Sequence, residues 1–326
     1  MQKPVRWGVL GAANFAREHM ARAIHAAEGA AFYALATSSP EKAEPFQAFA
    51  PGLKVLSGYD ALLSDPDVDA VYIPLPNHLH VEWSLRAIEA GKHVLCEKPI
   101  TMHASEFDRL IAARDGSGLL VAEAFMIVHH PQWIRARQLV QSGAIGELRH
   151  VSAEFSFNLT DMGNIRNKPE TGGGALGDIG VYIFGAARFV TGQEPARIRS
   201  ANVQRDNGVD VYVQVMAEFP GFDYSGMVSM RLHNRQEVLF HGTKGVLRVA
   251  YAPFNANVHD VAQIILETGG NLRQVERFAG LNHYVLQVEN FGRSIRQGAP
   301  YPCPLEFSRG TQVMIDMVLE AEKAAA

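Results

Sequence analysis

The chain has 326 residues, of which 47% are hydrophobic and 20% charged, as is typical of a soluble globular protein. At about 150 residues per domain, this length predicts two domains. Lys and Arg number 30 against 34 Asp and Glu, a net charge of −4, and the basic residues are scattered. This pattern predicts neither nucleic acid nor a membrane surface as a partner.

Two cysteines, Cys96 and Cys303, cannot form the disulfide framework of a small secreted domain. The sequence enters an apolar run at Val5, which leaves no room for a leader peptide. No apolar stretch reaches the roughly 20 residues that span a bilayer. We therefore expect a cytoplasmic protein.

The first 123 residues alternate short apolar runs with amphipathic segments. The predicted strands are Val5–Leu10, Ala31–Thr37, Lys54–Leu56, Ala70–Ile73, His93–Cys96 and Leu119–Ala122. The predicted helices are Phe15–Ala27, Glu41–Phe49, His80–Ala90 and Ser105–Arg114. Nearly continuous apolar strands separated by helices indicate a parallel sheet covered on both faces, the doubly wound α/β arrangement.

The pattern changes after Glu123. The predicted strands there are longer and alternate with period two: Glu147–Phe157, Val209–Phe219, Asp223–Leu232, Val238–His241 and Val246–Val249. Helical periodicity is found at Pro131–Gln141, Ala175–Val190, His283–Arg296 and Leu305–Lys323. The sequence therefore predicts a second, α+β domain over residues 124–326, with an open, mostly antiparallel sheet.

The turn after the first strand resembles a dinucleotide-binding fingerprint. Gly11, Ala13 and Ala16 occupy its three small-residue positions, which allow a tight turn, backbone approach to a pyrophosphate and close helix packing. The following helix would direct its N-terminal amides at the phosphates. Residues 1–123 are thus predicted to bind NAD(P), and the residues expected at this turn are Gly8, Gly11, Ala13, Asn14 and Phe15.

The end of the second predicted strand bears on the choice of cofactor. A site for NAD usually has a carboxylate there, about 20 residues after the glycines, to bind the ribose hydroxyls. This chain has Ser38 and Ser39, followed by Glu41 and Lys42. Hydroxyls and an ammonium favour the 2′-phosphate of NADP, whereas Glu41 keeps NAD open. We expect NADP as the preferred cofactor.

Four further motifs follow in order. They are Pro76-Asn77-His78-Leu79-His80, Glu97-Lys98-Pro99, Glu123-Ala124-Phe125 with His130-Pro131, and the glycine run Gly172–Gly174 leading to Asp178 and Tyr182. In these motifs the chain resembles the Gfo/Idh/MocA (glucose-fructose oxidoreductase / inositol dehydrogenase) family. The resemblance is greatest to the branch of trans-dihydrodiol dehydrogenase and NADP-dependent xylose dehydrogenase, and it runs from Gly8 to the last helix.

The resemblance implies roles for these residues. Lys98 would lie beside the nicotinamide, and Asp178 and Tyr182 would complete a catalytic and substrate site. Arg166 resembles a family position near the substrate. The residues implied to line the cofactor site are Pro76, Asn77, His80, Glu97, Lys98 and Glu123.

The residues themselves are compatible with this chemistry. Asp178 and Tyr182 are four apart and would share a helix face, and the glycine run would let that helix begin close to a ligand. An unperturbed tyrosine has a pKa of about 10, which a nearby ammonium lowers. We expect Tyr182 to carry the hydroxyl proton, Lys98 to stabilise charge on the substrate oxygen, and Asp178 to orient the substrate or Lys98.

Each residue also has a structural alternative. Lys98 could be a solvated loop residue held extended by Pro99, and Tyr182 a core aromatic. Asp178 could cap a helix, and Arg166 could form a loop ion pair. The histidines show no recognised metal-ligand spacing, so no metal is predicted.

Two positions depart from the branch. Val128 stands where an arginine is common, and Ser38-Ser39 stands where Ser-Arg is common, which weakens the NADP prediction.

The implied activity is NAD(P)-dependent oxidation of a sugar or cyclic polyol, or the reverse reduction. Three alternatives stay open: a dihydrodiol-type dehydrogenase, a glycosidase or lyase that uses NAD without net redox change, and a non-catalytic NAD(P) sensor. Family members commonly form dimers or tetramers through the open sheet, so a homodimer or homotetramer is implied.

Overall fold

The computed structural model of the protein describes residues 3–251, 253–258 and 260–325. The chain forms two compact units. The first contains residues up to Met126 together with Asn282–Ser308, and the second contains Ile127–Leu281 and the residues from Arg309 onwards. Within the described ranges, no helix is long and apolar enough to cross a membrane.

The first unit is built on a six-stranded parallel sheet in the order β3-β2-β1-β4-β5-β6. Its strands are β1 (Val5–Leu10), β2 (Ala30–Ala36), β3 (Lys54–Leu56), β4 (Ala70–Ile73), β5 (His93–Cys96) and β6 (Val121–Glu123). Its helices are α1 (Ala21–Ala26), α2 (Pro40–Gln47), α3 (Tyr59–Leu63), α4 (His80–Glu89) and α5 (Phe107–Ser117). The doubly wound sheet predicted from the apolar strands is confirmed.

A helix from near the end of the chain completes the first unit. This helix, α8 (His283–Gln297), places Phe291 against the fully buried Trp7 of β1, with ring centroids 5.0 Å apart. Tyr284, on the same helix, contacts Phe15 edge-on. Residues 282–308 therefore cluster with the first unit, although the expected division at residue 123 assigns them to the second domain.

The second unit contains an eight-stranded sheet in the order β14-β13-β12-β11-β7-β10-β9-β8. Its strands are β7 (Leu148–Asn158), β8 (Arg197–Asp206), β9 (Val209–Phe219), β10 (Phe222–Ser229), β11 (Arg231–Gly242), β12 (Gly245–Ala250), β13 (Gln263–Thr268) and β14 (Leu272–Arg277). All neighbouring strands are antiparallel except β7 and β10, which are parallel. This confirms the mostly antiparallel sheet.

Helices cover one face of this sheet. These are α6 (Pro131–Gln141) and α7 (Val181–Thr191), and α6 also contacts α7. The last helix, α9 (Leu305–Ala325), is joined to α7 by the buried Arg188, which donates to Thr311 at 2.5 Å and to both carboxylate oxygens of Glu194 at 2.6 Å. This bidentate pair and its added hydroxyl satisfy a guanidinium that would be costly to bury alone.

The structure differs from the sequence predictions in four unpredicted elements and one divided strand. The strands β8, β13 and β14 and the helix α3 were not predicted. The run expected as one strand over Asp223–Leu232 is two strands, because the chain turns at Met230 and continues into β11, whose pairing with β7 shifts between Arg231 and Arg235. Outward-facing polar residues in β8 and β14 hide the alternation that marks other strands.

Candidate active site

The turn after β1 has the backbone of a dinucleotide fingerprint. Gly11 has φ +104°, a conformation that L side chains rarely adopt, and an added Cβ would lie 3.2 Å from Tyr59 Oη and 3.3 Å from Leu75 Cδ2. At Gly8 an added Cβ would lie 2.5 Å from Leu62 Cδ2. The backbone conformation thus requires glycine at position 11, and a Cβ at position 8 would displace the Leu62 side chain. Binding of a pyrophosphate at this turn stays a prediction from the fingerprint.

The helical segment after this turn is held from one side by aromatic rings. A π-helical turn over Ala16–Met20 leads into α1, and Ala16 is fully buried, which explains the small residue at the third fingerprint position. Phe15 packs on His19 at 5.0 Å and on Tyr284 at 5.7 Å. The residue next to the expected phosphate site is thus fixed by α8.

A carboxylate lies beside the hydroxyls that follow β2. Ser39 Oγ donates a hydrogen bond of 2.6 Å to Glu41 Oε2, and this bond holds the pKa of Glu41 below its ordinary value. Thr37 Oγ1 accepts from the Ser39 amide at 3.2 Å. The hydroxyl of Ser39 is therefore engaged with a negative group, which opposes a 2′-phosphate and suits ribose hydroxyls.

The loop after β4 is braced by His80 at the beginning of α4. Its ring is fully buried, with Nδ1 2.8 Å from the Pro99 carbonyl and Nε2 2.7 Å from the Leu75 carbonyl. Burial lowers the pKa of His80 to about 4, against the opposing effect of the two carbonyls. Because both nitrogens face backbone, His80 can shape a cofactor site only by holding the segments that carry Asn77 and Lys98.

Lys98 follows β5 in a segment whose backbone is bonded to two carboxylates, those of Glu97 and Glu123. Tyr72 Oη donates to Glu97 Oε1 at 2.6 Å, and the Lys98 amide donates to Glu97 Oε2 at 3.3 Å. Burial raises the pKa of Glu97, while Lys98 and Tyr72 act in the opposite direction. Glu123 Oε1 accepts from the Ile100 amide at 3.0 Å. The backbone on both sides of Lys98 is thus anchored.

In the second unit, Asp178 and Arg166 form a short ion pair. Arg166 Nε lies 2.6 Å from Asp178 Oδ2, and the side chains are 38% and 12% exposed, respectively. Asp178 belongs to a π-helical turn, Leu176–Gly180, immediately before α7. Such turns are frequent at functional sites. The structure therefore brings together two of the residues expected to contact substrate.

Tyr182 lies in an aromatic cluster at the beginning of α7. Its ring is 5.7 Å from Phe155 and 5.5 Å from Phe254, and the residue is 6% exposed. Phe155 and Phe254 stack on each other at 5.2 Å. The packing holds the tyrosine ring in one orientation.

The glycine run before Asp178 makes room for the protein itself. An added Cβ would lie 2.5 Å from the Arg166 carbonyl oxygen at Gly173, and 2.3 Å from Asp210 Oδ1 at Gly174, where φ is +127°. Asp210 Oδ2 accepts from the Leu176 amide at 2.6 Å. Contacts within the chain thus require both glycines. That this helix also begins close to a ligand stays a prediction. Sequence reasoning missed Asp210, because no local pattern marks it.

His130, the second histidine of the pair before α6, caps that helix. His130 is fully buried and its Nδ1 accepts from the Gln132 amide at 3.2 Å, so that it caps α6. Burial lowers its pKa to about 4. In the described part of the chain, no group of three His, Cys, Asp or Glu residues is placed to hold a metal ion.

The predicted residues fall into two sets. In the first unit, the fingerprint turn and the residues Asn77, Glu97, Lys98 and Glu123 follow the carboxyl ends of β1, β4, β5 and β6, the edge at which open α/β sheets bind ligands. In the second unit, Arg166, Asp178 and Tyr182 lie around the beginning of α7. A parallel sheet with this turn at its ligand-binding edge is the architecture of a dinucleotide-binding domain.

Comparisons with known proteins agree with that class. Residues 5–125 match the model of an oxidoreductase family with an NAD-binding Rossmann fold, GFO_IDH_MocA, and residues 133–248 match the GFO/IDH/MocA C-terminal domain. The chain belongs to the Gfo/Idh/MocA family of oxidoreductases, as its motifs predicted.

Three relatives match over nearly their whole length. An uncharacterised oxidoreductase of Rhizobium meliloti, ORF334, is 39% identical over 96% of each chain. The D-xylose 1-dehydrogenase (NADP(+)) 2 of Haloferax volcanii is 33% identical over 98% of each, which agrees with the expected branch. The 3-ketoreductase KijD10 of Actinomadura kijaniata, solved with NADP and TDP-benzene, has a TM-score of 0.89 and 31% identity over 98% of each chain.

Proposed function

We propose that this protein is an NAD(P)-dependent dehydrogenase or reductase that acts on a CH–OH or carbonyl carbon of a sugar or cyclic polyol. The observation that carries the proposal is the glycine turn at Gly11 on the same parallel sheet edge as Lys98. Similarity to a D-xylose 1-dehydrogenase (NADP(+)) supports the substrate class and the cofactor, and similarity to a 3-ketoreductase solved with NADP supports the reaction and the cofactor.

NADP is proposed as the preferred cofactor, with NAD as the second. The turn from Gly11 to Phe15 would hold the pyrophosphate, and Ser38, Ser39 and Lys42 would contact the 2′-phosphate. Glu41 opposes this preference, because its carboxylate accepts from Ser39. When bound, the nicotinamide supplies the hydride donor or acceptor.

The chain's own residues would handle the proton and the charge. Tyr182 would exchange a proton with the substrate hydroxyl, and Lys98 would donate to the substrate oxygen and stabilise negative charge on it. Asp178, held by Arg166 at 2.6 Å, would orient a neighbouring substrate hydroxyl. The bond between Tyr72 and Glu97 would keep the backbone at Lys98 in place.

The proposal is tested by cofactor binding and turnover. After removal of any bound nucleotide, nicotinamide fluorescence is followed during separate titrations with NADPH and NADH, and aldoses, polyols and dihydrodiols are then screened for net nicotinamide reduction. We expect tighter binding of NADPH and turnover of a sugar or polyol. Binding of neither nucleotide would overturn the enzyme proposal. Sugar cleavage without net nicotinamide reduction would favour the glycosidase or lyase alternative.

A further inference from the structure

The second unit contains a cavity next to the aromatic cluster of Tyr182. Its volume is about 370 Å³, within the range of about 300–1,000 Å³ common for small-molecule sites. Residues from the ends of β7 and β11 and from the segment after β12 line it. The lining residues include Phe155, Phe157, Tyr251, Asn234, Arg235 and Asn255.

One wall of the cavity is aromatic and continuous with the surroundings of Tyr182. Phe155 and Phe157 are two residues apart on β7 and therefore face the same side of the sheet. Their rings are 6.3 Å apart, and Phe155 also contacts Tyr182, with ring centroids 5.7 Å apart. A group in the cavity would thus lie one aromatic ring away from the proposed proton carrier.

A second wall is polar and held in position by Gln236. Its Nε2 donates to Asn255 Oδ1 at 2.5 Å, and its Oε1 accepts from the Phe254 amide at 3.1 Å. These bonds attach the segment after β12 to β11. Because the polar wall is fixed before any ligand arrives, little ordering cost would accompany binding.

The charges at the cavity favour an uncharged occupant. Among the described lining residues, Arg235 is the one cation, and it is bonded to Glu154 at 2.8 Å and to Glu237 at 3.1 Å. Asp260 adds a carboxylate to the lining. A diphosphate would meet a guanidinium already shared by two carboxylates, whereas a sugar ring requires aromatic surface and amide groups, both of which are present.

We propose that this cavity is a second carbohydrate subsite, which binds an uncharged sugar ring linked to the ring that reacts at Tyr182. The substrate class is then a neutral disaccharide or glycoside rather than a free monosaccharide or a sugar nucleotide. This inference rests on the proposed function, which it extends from the reacting ring to its substituent.

The first test compares matched substrates under both cofactors. Values of kcat/KM are measured for D-glucose and cellobiose, D-xylose and xylobiose, D-galactose and lactose, and dTDP-glucose. We expect at least one disaccharide to exceed its monosaccharide by about 10-fold, the equivalent of one or two hydrogen bonds. Equal values across all pairs, or a preference for dTDP-glucose over every neutral sugar, would overturn the subsite.

Substitutions at the cavity then locate the effect. Tyr251→Ala and Asn234→Ala should each reduce the disaccharide-to-monosaccharide ratio of kcat/KM by about 5- to 10-fold. Leu272→Ala, a change at a 63% exposed residue of β14 away from the cavity, is the matched control and should leave the ratio unchanged. An unchanged ratio in both cavity variants would contradict the proposal.

Calorimetric titration with the same disaccharides separates the two proposals. Binding that Tyr251→Ala weakens, in a protein that turns over no sugar, would support the subsite and overturn the proposed function. Turnover of a monosaccharide with no disaccharide advantage would overturn the subsite and leave the proposed function intact.

Discussion

The carboxylate of Asp210 accepts a 2.6 Å hydrogen bond from the backbone amide of Leu176, which is 34 residues away in sequence. Leu176 begins the π-helical turn that carries Asp178 and leads to Tyr182. A side chain from β9 thus takes the place of a local helix cap, because Ala175 has no side chain that could do so.

Removal of this carboxylate should weaken both the fold and the site. Asp210→Ala leaves the Leu176 amide without its acceptor, and we expect a loss of about 1 kcal/mol of unfolding free energy. Thermal unfolding should show a fall in Tm of about 2–4 °C, and kcat/KM should fall further as Asp178 and Tyr182 shift. Asp223→Ala, which removes an exposed carboxylate of β10, is the control; equal effects of the two variants would contradict the assignment.

Asp210 also predicts a pH dependence. Burial raises the pKa of this carboxyl above its unfolded value of about 3.9. The stability that the fold gains by protonation of Asp210 is therefore fully present below that value and is lost as pH rises through the folded pKa. Asp210→Asn, which keeps an acceptor but no charge, should gain in Tm relative to wild type as pH rises from about 3.5 to 8. A Tm difference that is constant with pH would show that the raised pKa has no effect on folding.

Tyr182 is predicted to be the proton carrier. Tyr182→Phe should lower kcat by about 10²- to 10⁴-fold at saturating substrate, because a positioned general acid or base contributes a factor of that size. Phe keeps the ring contacts with Phe155 and Phe254, so the variant should remain folded, as circular dichroism can verify. Tyr212→Phe on β9 is the matched control. Near-native turnover by Tyr182→Phe would assign the proton to another group.

Arg166 is predicted to act through Asp178. Arg166→Ala should lower kcat/KM by about 10- to 100-fold, the equivalent of one charge-assisted hydrogen bond. It should change the unfolding free energy by only about 0–1 kcal/mol, because the guanidinium is 38% exposed. In a double-mutant cycle with Asp178→Asn, the losses in kcat/KM should be strongly non-additive. Additive losses would mean that the two residues act separately.

Cofactor preference should respond to the residues after β2. Lys42→Ala is expected to weaken NADPH binding about 5-fold with little effect on NADH, since only NADPH carries the 2′-phosphate. Glu41→Gln should act in the opposite direction and tighten NADPH, because it removes the charge bonded to Ser39. Fluorescence titrations measure both, with Lys244→Ala as the control. If the wild-type protein bound NADH more tightly than NADPH, the preferred cofactor would be NAD instead of NADP.

Sequence pattern predicts the buried parts of this fold best. The strands β1, β3, β4 and β5 lie where apolar runs indicated, since three of them are covered on both faces and the run itself is the signal. The strands β8 and β14 could not be found in this way, because most of their residues are exposed and polar.

Residues of the candidate site were likewise predictable only where the sequence carries a local pattern. Motifs located the fingerprint turn, Lys98, Asp178 and Tyr182, since each belongs to a short contiguous pattern. Asp210, Tyr72 and Gln236 act through partners between 18 and 34 residues away, and a contact of that kind has no local signature. The glycines before Asp178 had a signature, but the contacts that require them come from Arg166 and Asp210.

The return of α8 to the first unit has a consequence for biosynthesis. Phe291 and Tyr284 supply packing for Trp7 and Phe15, so the nucleotide-binding half of the protein is assembled from both ends of the chain. During translation, the first 126 residues leave the ribosome before the residues that complete their hydrophobic core exist. Folding of this unit therefore requires the synthesis of about 150 further residues. A fragment cut after Met126 should therefore aggregate, whereas one that joins it through a short linker to residues 282–308 should fold.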